Sequence, residues 1–180
     1  MKKSDKINLL HNAIGTYDIC RCVFNYDPGY WYFYILDVSE NLVLGIHEVD
    51  FMLDGFQIRK ISDIKKLKIG DGICQKINEE NRLLDGIEKP SITLSSWQSV
   101  FESLQPLNKL VIVENEKTDN DNNFFYMGYV TEIKKSYIVF SSVDADGVWD
   151  DNIKISYSEI TRVSFDDRYS RTWQKYLTQH

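Results

Sequence analysis

Few residues in this chain could do covalent chemistry, and they are scattered. His11, His47 and His180 lie far apart, and Cys20, Cys22 and Cys74 contain no Cys-x-x-Cys pair from which a zinc site could be built. General-base or nucleophilic catalysis needs a base within hydrogen-bond reach of its partner, usually oriented by a third group. In Leu44-Gly-Ile-His-Glu-Val49, His47 and Glu48 are adjacent, so in a strand they point to opposite faces and do not pair. Glycines occur singly and form neither a dinucleotide fingerprint nor a phosphate loop. Asp144-Ala-Asp-Gly-Val-Trp-Asp-Asp151 spaces its carboxylates like the start of a calcium loop. With Gly147 at the sixth position, however, the place of the bidentate glutamate falls on Asn152 or Ile153. The segment reads as a solvated hairpin loop, and Asp119 and Asp121 suggest a generally acidic loop end. The expectation is a chain with no catalytic residue, no metal and no cofactor: not an enzyme.

Binding chemistry is better represented. Tyr30-Trp-Tyr-Phe-Tyr34 is the densest aromatic run, and strand alternation puts Tyr30, Tyr32 and Tyr34 on one face and Trp31 and Phe33 on the other. One face is expected in the core and the other is a candidate contact surface, because rings bury large area at small entropic cost. The acidic loop adds Asp144, Asp146, Trp149 and Asp150 as candidate contacts. Arg59, Lys60, Lys65, Lys66 and Lys68 form the one local basic group. Their expected role is to guard exposed strand edges, and Arg59, Lys60, Lys65 and Lys66 are the candidates for phosphate contact. The net charge of -6 opposes nucleic acid as the default partner, and residues from 90 onward carry more of that excess, -4 against -2. An odd cysteine count suits free thiols in a reducing compartment. The opening Met-Lys-Lys-Ser-Asp-Lys lacks a signal-peptide apolar core, and no apolar run approaches a membrane span, so a cytoplasmic protein without membrane contact is expected.

The elements that would position these groups repeat. Ile35-Leu-Asp-Val-Ser-Glu-Asn-Leu-Val-Leu44 aligns with Val130-Thr-Glu-Ile-Lys-Lys-Ser-Tyr-Ile-Val139, apolar on apolar at five positions, and Ile61-Ser-Asp-Ile-Lys-Lys-Leu67 aligns with Tyr157-Ser-Glu-Ile-Thr-Arg-Val163. The offset grows by one residue between the two matches, in the loops 50–55 and 144–152. Further back, residues 18–24 match 109–114. A segment of helical period precedes each copy: Ile7, Leu10, Ala13 and Ile14 in one, Trp97, Val100, Phe101 and Leu104 in the other. Ser4 and Ser95 or Ser96 are expected N-caps, with stops at Gly15 and Pro106. Each copy then predicts five strands: 17–25, 29–38, 42–49, 56–61 and 63–69 in the first, and 109–115, 124–133, 137–143, 153–157 and 159–165 in the second. Tight corners are expected at Ser62-Asp63 and Ser158-Glu159, and helical tails within 70–90 and 169–177, where Trp173 and Tyr176 form the anchoring face.

A helix followed by five short, bent strands resembles small SH3-like barrels, and more narrowly Sm-like domains. The resemblance is carried by Gly128-Tyr-Val-Thr-Glu-Ile-Lys-Lys-Ser-Tyr-Ile-Val-Phe140 with Ile155-Ser-Tyr-Ser-Glu-Ile-Thr-Arg-Val163. Sm-like RNA binders carry an acidic residue and an asparagine after the second strand and a basic-glycine pair after the fourth. Here Glu40-Asn41 is a partial match to the first element, and the second is missing from both copies.

These readings give a mainly β fold with short helices: two tandem SH3-like or Sm-like five-stranded barrels, each preceded by a helix and packed about a pseudo-twofold axis. Residues 1–70 form the first unit, 71–94 a helical linker, and 95–180 the second unit with a helical tail. The expected function is a non-catalytic cytoplasmic module that binds a protein partner, immunity-like or regulatory. The alternative is an Sm-like RNA-binding protein, and a homo-oligomer is compatible with either.

Overall fold

Alternating apolar and polar residues, broken by short polar turns, fold the chain into a sheet with helices laid against it. The computed structural model describes residues 1–70, 72–117 and 123–179. In the first half, α1 (Lys3–Asn12) leads into β1 (Cys20–Phe24), β2 (Asp27–Val38), β3 (Leu42–Val49), β4 (Met52–Lys60) and β5 (Ile64–Ile69), and α2 (Ile73–Glu80) follows. The second half runs α3 (Trp97–Leu104), β6 (Val111–Asn115), β7 (Phe124–Ile133), β8 (Tyr137–Val143), β9 (Ile153–Ser156), β10 (Arg162–Phe165) and α4 (Arg168–Leu177). The fold is mainly β, with the strands in one antiparallel sheet ordered β5-β1-β2-β3-β4-β10-β6-β7-β8-β9. The sheet is open, and β5 and β9 are its outer strands.

Strand order repeats between the halves, and so does register. Phe33 pairs with His47 in the first half, and Gly128 with Ser142 in the second, each 95 positions further along. The register slips at the same place in both, between Ile35 and Asp37 and between Val130 and Glu132. Cys22 opposite Leu67 is matched by Val113 opposite Val163, and Leu44 opposite Ile58 by Val139 opposite Lys154. A shared bulge and shared ladders are stronger signs of one repeated unit than apolar pattern alone, because a one-residue slip would turn every side chain over.

The halves join through β4 and β10, with Ile58 opposite Val163 and Arg59 opposite Arg162. This corrects the expected pseudo-twofold packing. A twofold axis would bring equivalent strands together, whereas here the fourth strand of one unit meets the fifth strand of the other, a head-to-tail join. The join makes β4 a central strand, and its residues 57–59 are all buried.

Packing follows the same division. Against the first unit, α1 seats Leu10 and Ala13 on Cys22, Phe24, Phe33 and Ile64. Its N-cap is Lys2, whose backbone N–H donates to Asp5 Oδ2 at 3.3 Å, so Ser4 lies inside the helix and not at its cap. Ser96 does cap α3: its Oγ accepts from Ser99 N at 3.1 Å, and Ser99 Oγ accepts from Ser96 N at 2.9 Å. Through Trp97, Val100, Phe101 and Leu104, α3 enters the largest core, which takes Val113, Phe140 and Val163 from the second unit and Leu42, Leu44 and Ile58 from the first. Burial of each such side chain contributes about 1.5–3 kcal/mol, so this core resists separation of the units. Ile92 and Leu94, within the segment read as a linker, are buried in it as well.

Candidate binding site

The join buries a charged cluster around Arg59, a residue expected at an exposed strand edge. Arg59, 2% exposed, lies over the rings of Phe24 and Trp31, its guanidinium carbon 4.2 and 4.5 Å from their centroids. Its Nη1 donates to Glu116 Oε2 at 2.8 Å, its Nη2 to Oε1 at 3.3 Å, and its Nε to Gln57 Oε1 at 3.1 Å. From β10, Arg162 pairs with Glu114, reaches Glu116 Oε1 at 3.4 Å and also lies over Trp31. Burial raises the Glu114 carboxyl above its ordinary range, with the Arg162 bond opposing. Burial alone would lower the Arg162 value, but Glu114 and Glu116 outweigh it and hold the guanidinium charged. The Trp31 indole N–H donates to Asp27 Oδ2 at 2.7 Å, and Asp27 Oδ1 accepts from Gly29 N at 2.7 Å. These two bonds, the backbone one foremost, hold the Asp27 carboxyl below its usual range.

Arg59 is therefore a structural cation with its partners in place and cannot also meet a phosphate. Lys60 is turned to the join too, donating to the carbonyls of Tyr157 at 3.5 Å and Ser158 at 3.2 Å. The sequence reading treated β4 as an edge, and the pairing of β4 with β10 removes both residues from the basic group. Lys65, Lys66 and Lys68 do lie exposed on the outer strand β5.

The aromatic run divides along its length. Tyr34, 1% exposed, is covered by α2, and its hydroxyl accepts from Asn78 Nδ2 at 2.9 Å. Tyr30 is 59% exposed and Tyr32 half-buried, and both line a groove across β5, β1, β2 and β3. One part of the groove, about 530 Å³, is bounded by Trp31, His47, Glu48, Phe51 and Gln75; the other, about 360 Å³, by Lys66, Leu67 and Lys68, and Arg21, Tyr30 and Tyr32 belong to both. His47 is packed 5.0 Å from Trp31 and 5.5 Å from Phe33, between ring centroids. Burial, with Arg59 close by, pushes it down to about 4, so the imidazole is neutral at neutral pH. Glu48 faces away from it, opposite Tyr32, and its Oε1 accepts from Phe51 N at 2.7 Å.

A second surface lies on the other unit. On α4, Tyr169, Trp173 and Tyr176 recur at helical spacing. Phe125 of β7 meets Tyr169 at 5.9 Å, Tyr169 meets Trp173 at 6.4 Å, and Trp173 meets Tyr176 at 6.0 Å. Asp167 caps this helix, accepting from Ser170 N at 2.8 Å. Trp173 and Leu177 anchor it on Leu110, Ile112, Met127 and Val143. Beside it, the β8–β9 hairpin is folded by Asp144, whose Oδ1 accepts from Asp146 N at 2.9 Å and Val148 N at 2.8 Å. Gly147 sits against Trp173 and Tyr176, and Trp149 stacks on Tyr129 at 5.5 Å. Asp144, Asp146 and Asp150 thus stand exposed at the rim of an aromatic strip. The helical spacing of 169, 173 and 176 is visible in the sequence; the contribution of Phe125 required the fold. Asp119 and Asp121 lie outside the described residues.

Among the described residues, no group of three or more His, Cys, Asp or Glu side chains could hold a metal ion. No helix among the described residues is long and apolar enough to cross a membrane. No family model, no curated protein and no solved structure matches this chain.

Proposed function

We propose that the chain is a non-catalytic module that binds a basic protein, in an immunity-like or regulatory role. Its place is the cytoplasm, where Cys20, Cys22 and Cys74 persist as thiols. Each five-strand unit is read as an SH3-like or Sm-like half whose helices cover its open ends. The contact surface is the α4 strip with the hairpin beside it. The observation that carries this reading is the exposure of large rings there: Phe125 at 50%, Trp149 at 42%, Tyr169 at 49% and Tyr176 at 51%. Contiguous apolar surface rimmed by polar residues is what a contact site looks like before its partner arrives. The carboxylates of Asp144, Asp146 and Asp150 favour a cationic partner and would speed its approach. The RNA alternative has lost Arg59 and Lys60 to the join, and the net charge of -6 works against it.

Affinity capture from host extract on the immobilised full chain tests the reading. A protein retained by the wild type and by Tyr30→Ser, and lost from Tyr169→Ser/Tyr176→Ser with unchanged circular dichroism and unfolding midpoint, is expected. Equal retention by the double variant would reject the strip as the contact surface. Salt-sensitive retention of RNA on a filter, with no protein captured, would favour the alternative.

A further inference from the structure

We infer that the α4 strip also pairs with the same strip of a second copy of this chain, a dimer that covers the face until the basic partner displaces it; the inference rests on the strip being the contact surface. Two kinds of side chain share the exposed side of α4. Tyr169, Trp173 and Tyr176 fall on one flank, and the helical spacing of Arg168, Arg171 and Lys175 puts them on the flank turned away from Trp173. All three cations are exposed. The β8–β9 hairpin meets the helix on the ring side, since Gly147 sits against Trp173 and Tyr176, and it brings the exposed Asp144, Asp146 and Asp150 there. The face therefore runs from carboxylates through rings to cations. Arg171 Nε donates to the Asp167 carbonyl at 3.3 Å, yet among the described residues neither these cations nor these carboxylates form an ion pair.

Such a face is complementary to itself. A twofold axis running along the strip, parallel to α4, sets ring on ring and lays the carboxylates of each copy on the cations of the other, so every contact is made twice. An axis across the helix would set acid on acid, and the repulsion selects the first arrangement. The half-exposed rings of Phe125 and Tyr169 supply buried area at small entropic cost. One ten-residue helix and one hairpin make a small face beside the roughly 20–30 residues a side of a standard complex. The dimer is accordingly weak, with a Kd on the order of 10–100 µM. Weak pairing suits a covering role: the cations of a basic partner take the place of Arg168, Arg171 and Lys175 on the hairpin carboxylates, and the two states of the strip exclude each other.

The test is sedimentation velocity of the full chain from about 5 to about 500 µM, a range that brackets the expected Kd. A monomer–dimer equilibrium is expected, with no larger species, because a twofold contact closes on itself. Arg168→Glu/Lys175→Glu and Asp146→Lys/Asp150→Lys, all at exposed side chains, should each weaken it by roughly tenfold or more with unchanged circular dichroism, as should Tyr169→Ser/Tyr176→Ser. Mixed in equal amounts, the two charge variants should associate at least as tightly as the wild type, because each swapped contact again pairs unlike charges. Lys65→Glu/Lys66→Glu on β5 makes the same change in net charge as the first variant and should leave the dimer unchanged. A chain that stays monomeric throughout the range, pairing indifferent to the strip variants, or no association in the mixture would overturn the proposal. A monomer that still captures a host protein rejects the dimer and not the contact surface; a dimer that obeys the charge swaps and captures none supports the pairing and rejects the basic partner.

Discussion

Arg59 shows how a charge can be structural. Removing one partner from a buried ion pair leaves the other uncompensated, so Arg59→Ala should lower stability by about 3–5 kcal/mol in urea unfolding. Arg59→Met should cost less, because an unbranched chain still fills the space over Phe24 and Trp31. A loss below about 1 kcal/mol for the alanine variant would mean that the cluster is solvated and weakly coupled. His47 gives a pH dependence whose sign is fixed. Burial holds it near 4, below its ordinary 6.5, so between those values the unfolded chain takes up a proton that the folded chain refuses. Stability should therefore fall as pH drops from 6.5 toward 4, by up to about 3 kcal/mol, and not change from this source above that window. Unfolding midpoints at pH 7 and pH 4.5 check it: His47→Phe should lose this part of the acid sensitivity. An identical acid slope in that variant would assign it to other groups. At this scale the sequence was only partly legible. That His47 and Glu48 diverge followed from alternation, whereas the burial of Arg59 depended on which strand lies beside β4, and no local pattern encodes that.

At the scale of elements, the bounds of β3, β7 and β8 were readable because polar turns frame them, whereas β4 begins at Met52 and not at 56, and β10 at Arg162 and not at 159. The α3 cap was readable because Ser96 and Ser99 satisfy each other's backbone. The Asp50-Phe51 turn was not: neither residue is the glycine or asparagine that announces a left-handed hairpin, and the conformation is imposed by Glu48 and by the ladders on either side. Left-handed backbone costs a bulky residue about 1–2 kcal/mol, and glycine returns roughly 0.5–1 kcal/mol of that as unfolded-state entropy. Phe51→Gly is accordingly expected to raise stability by about 0.5–1 kcal/mol while it removes a ring from the groove. A destabilised variant would show that the exposed ring contributes more to the fold than the turn costs. Gly128 marks the opposite constraint. A Cβ there would stand 1.8 Å from the Ser141 carbonyl oxygen, so β7 and β8 approach each other closely where Phe33 is accommodated in the first unit.

For the whole molecule, the repeat was legible from apolar spacing, and its join was not. Two copies of a five-strand unit can meet through equivalent or non-equivalent strands, and both arrangements bury the same apolar faces. The head-to-tail solution is held here by residues from both sides: the Arg59 and Arg162 cluster, the α3 core, and the approach of β4 to α4, where Asp54 Oδ1 accepts from Arg168 N at 2.7 Å. A Cβ on Gly55, which has φ +73°, would stand 2.4 Å from Asp167 N, so no side chain fits between the two units at that point. This leaves β5 and β9 as the outer strands, and Lys65, Lys66 and Lys68 on β5 oppose further pairing. The proposed contact surface depends on that single continuous sheet. Hydrogen exchange across β4 and β10 tests it most directly. The account expects the amides of residues 56–59 and 162–165 to exchange only as slowly as global unfolding allows, with one calorimetric transition for the whole chain; fast exchange there, or two separate transitions, would contradict it.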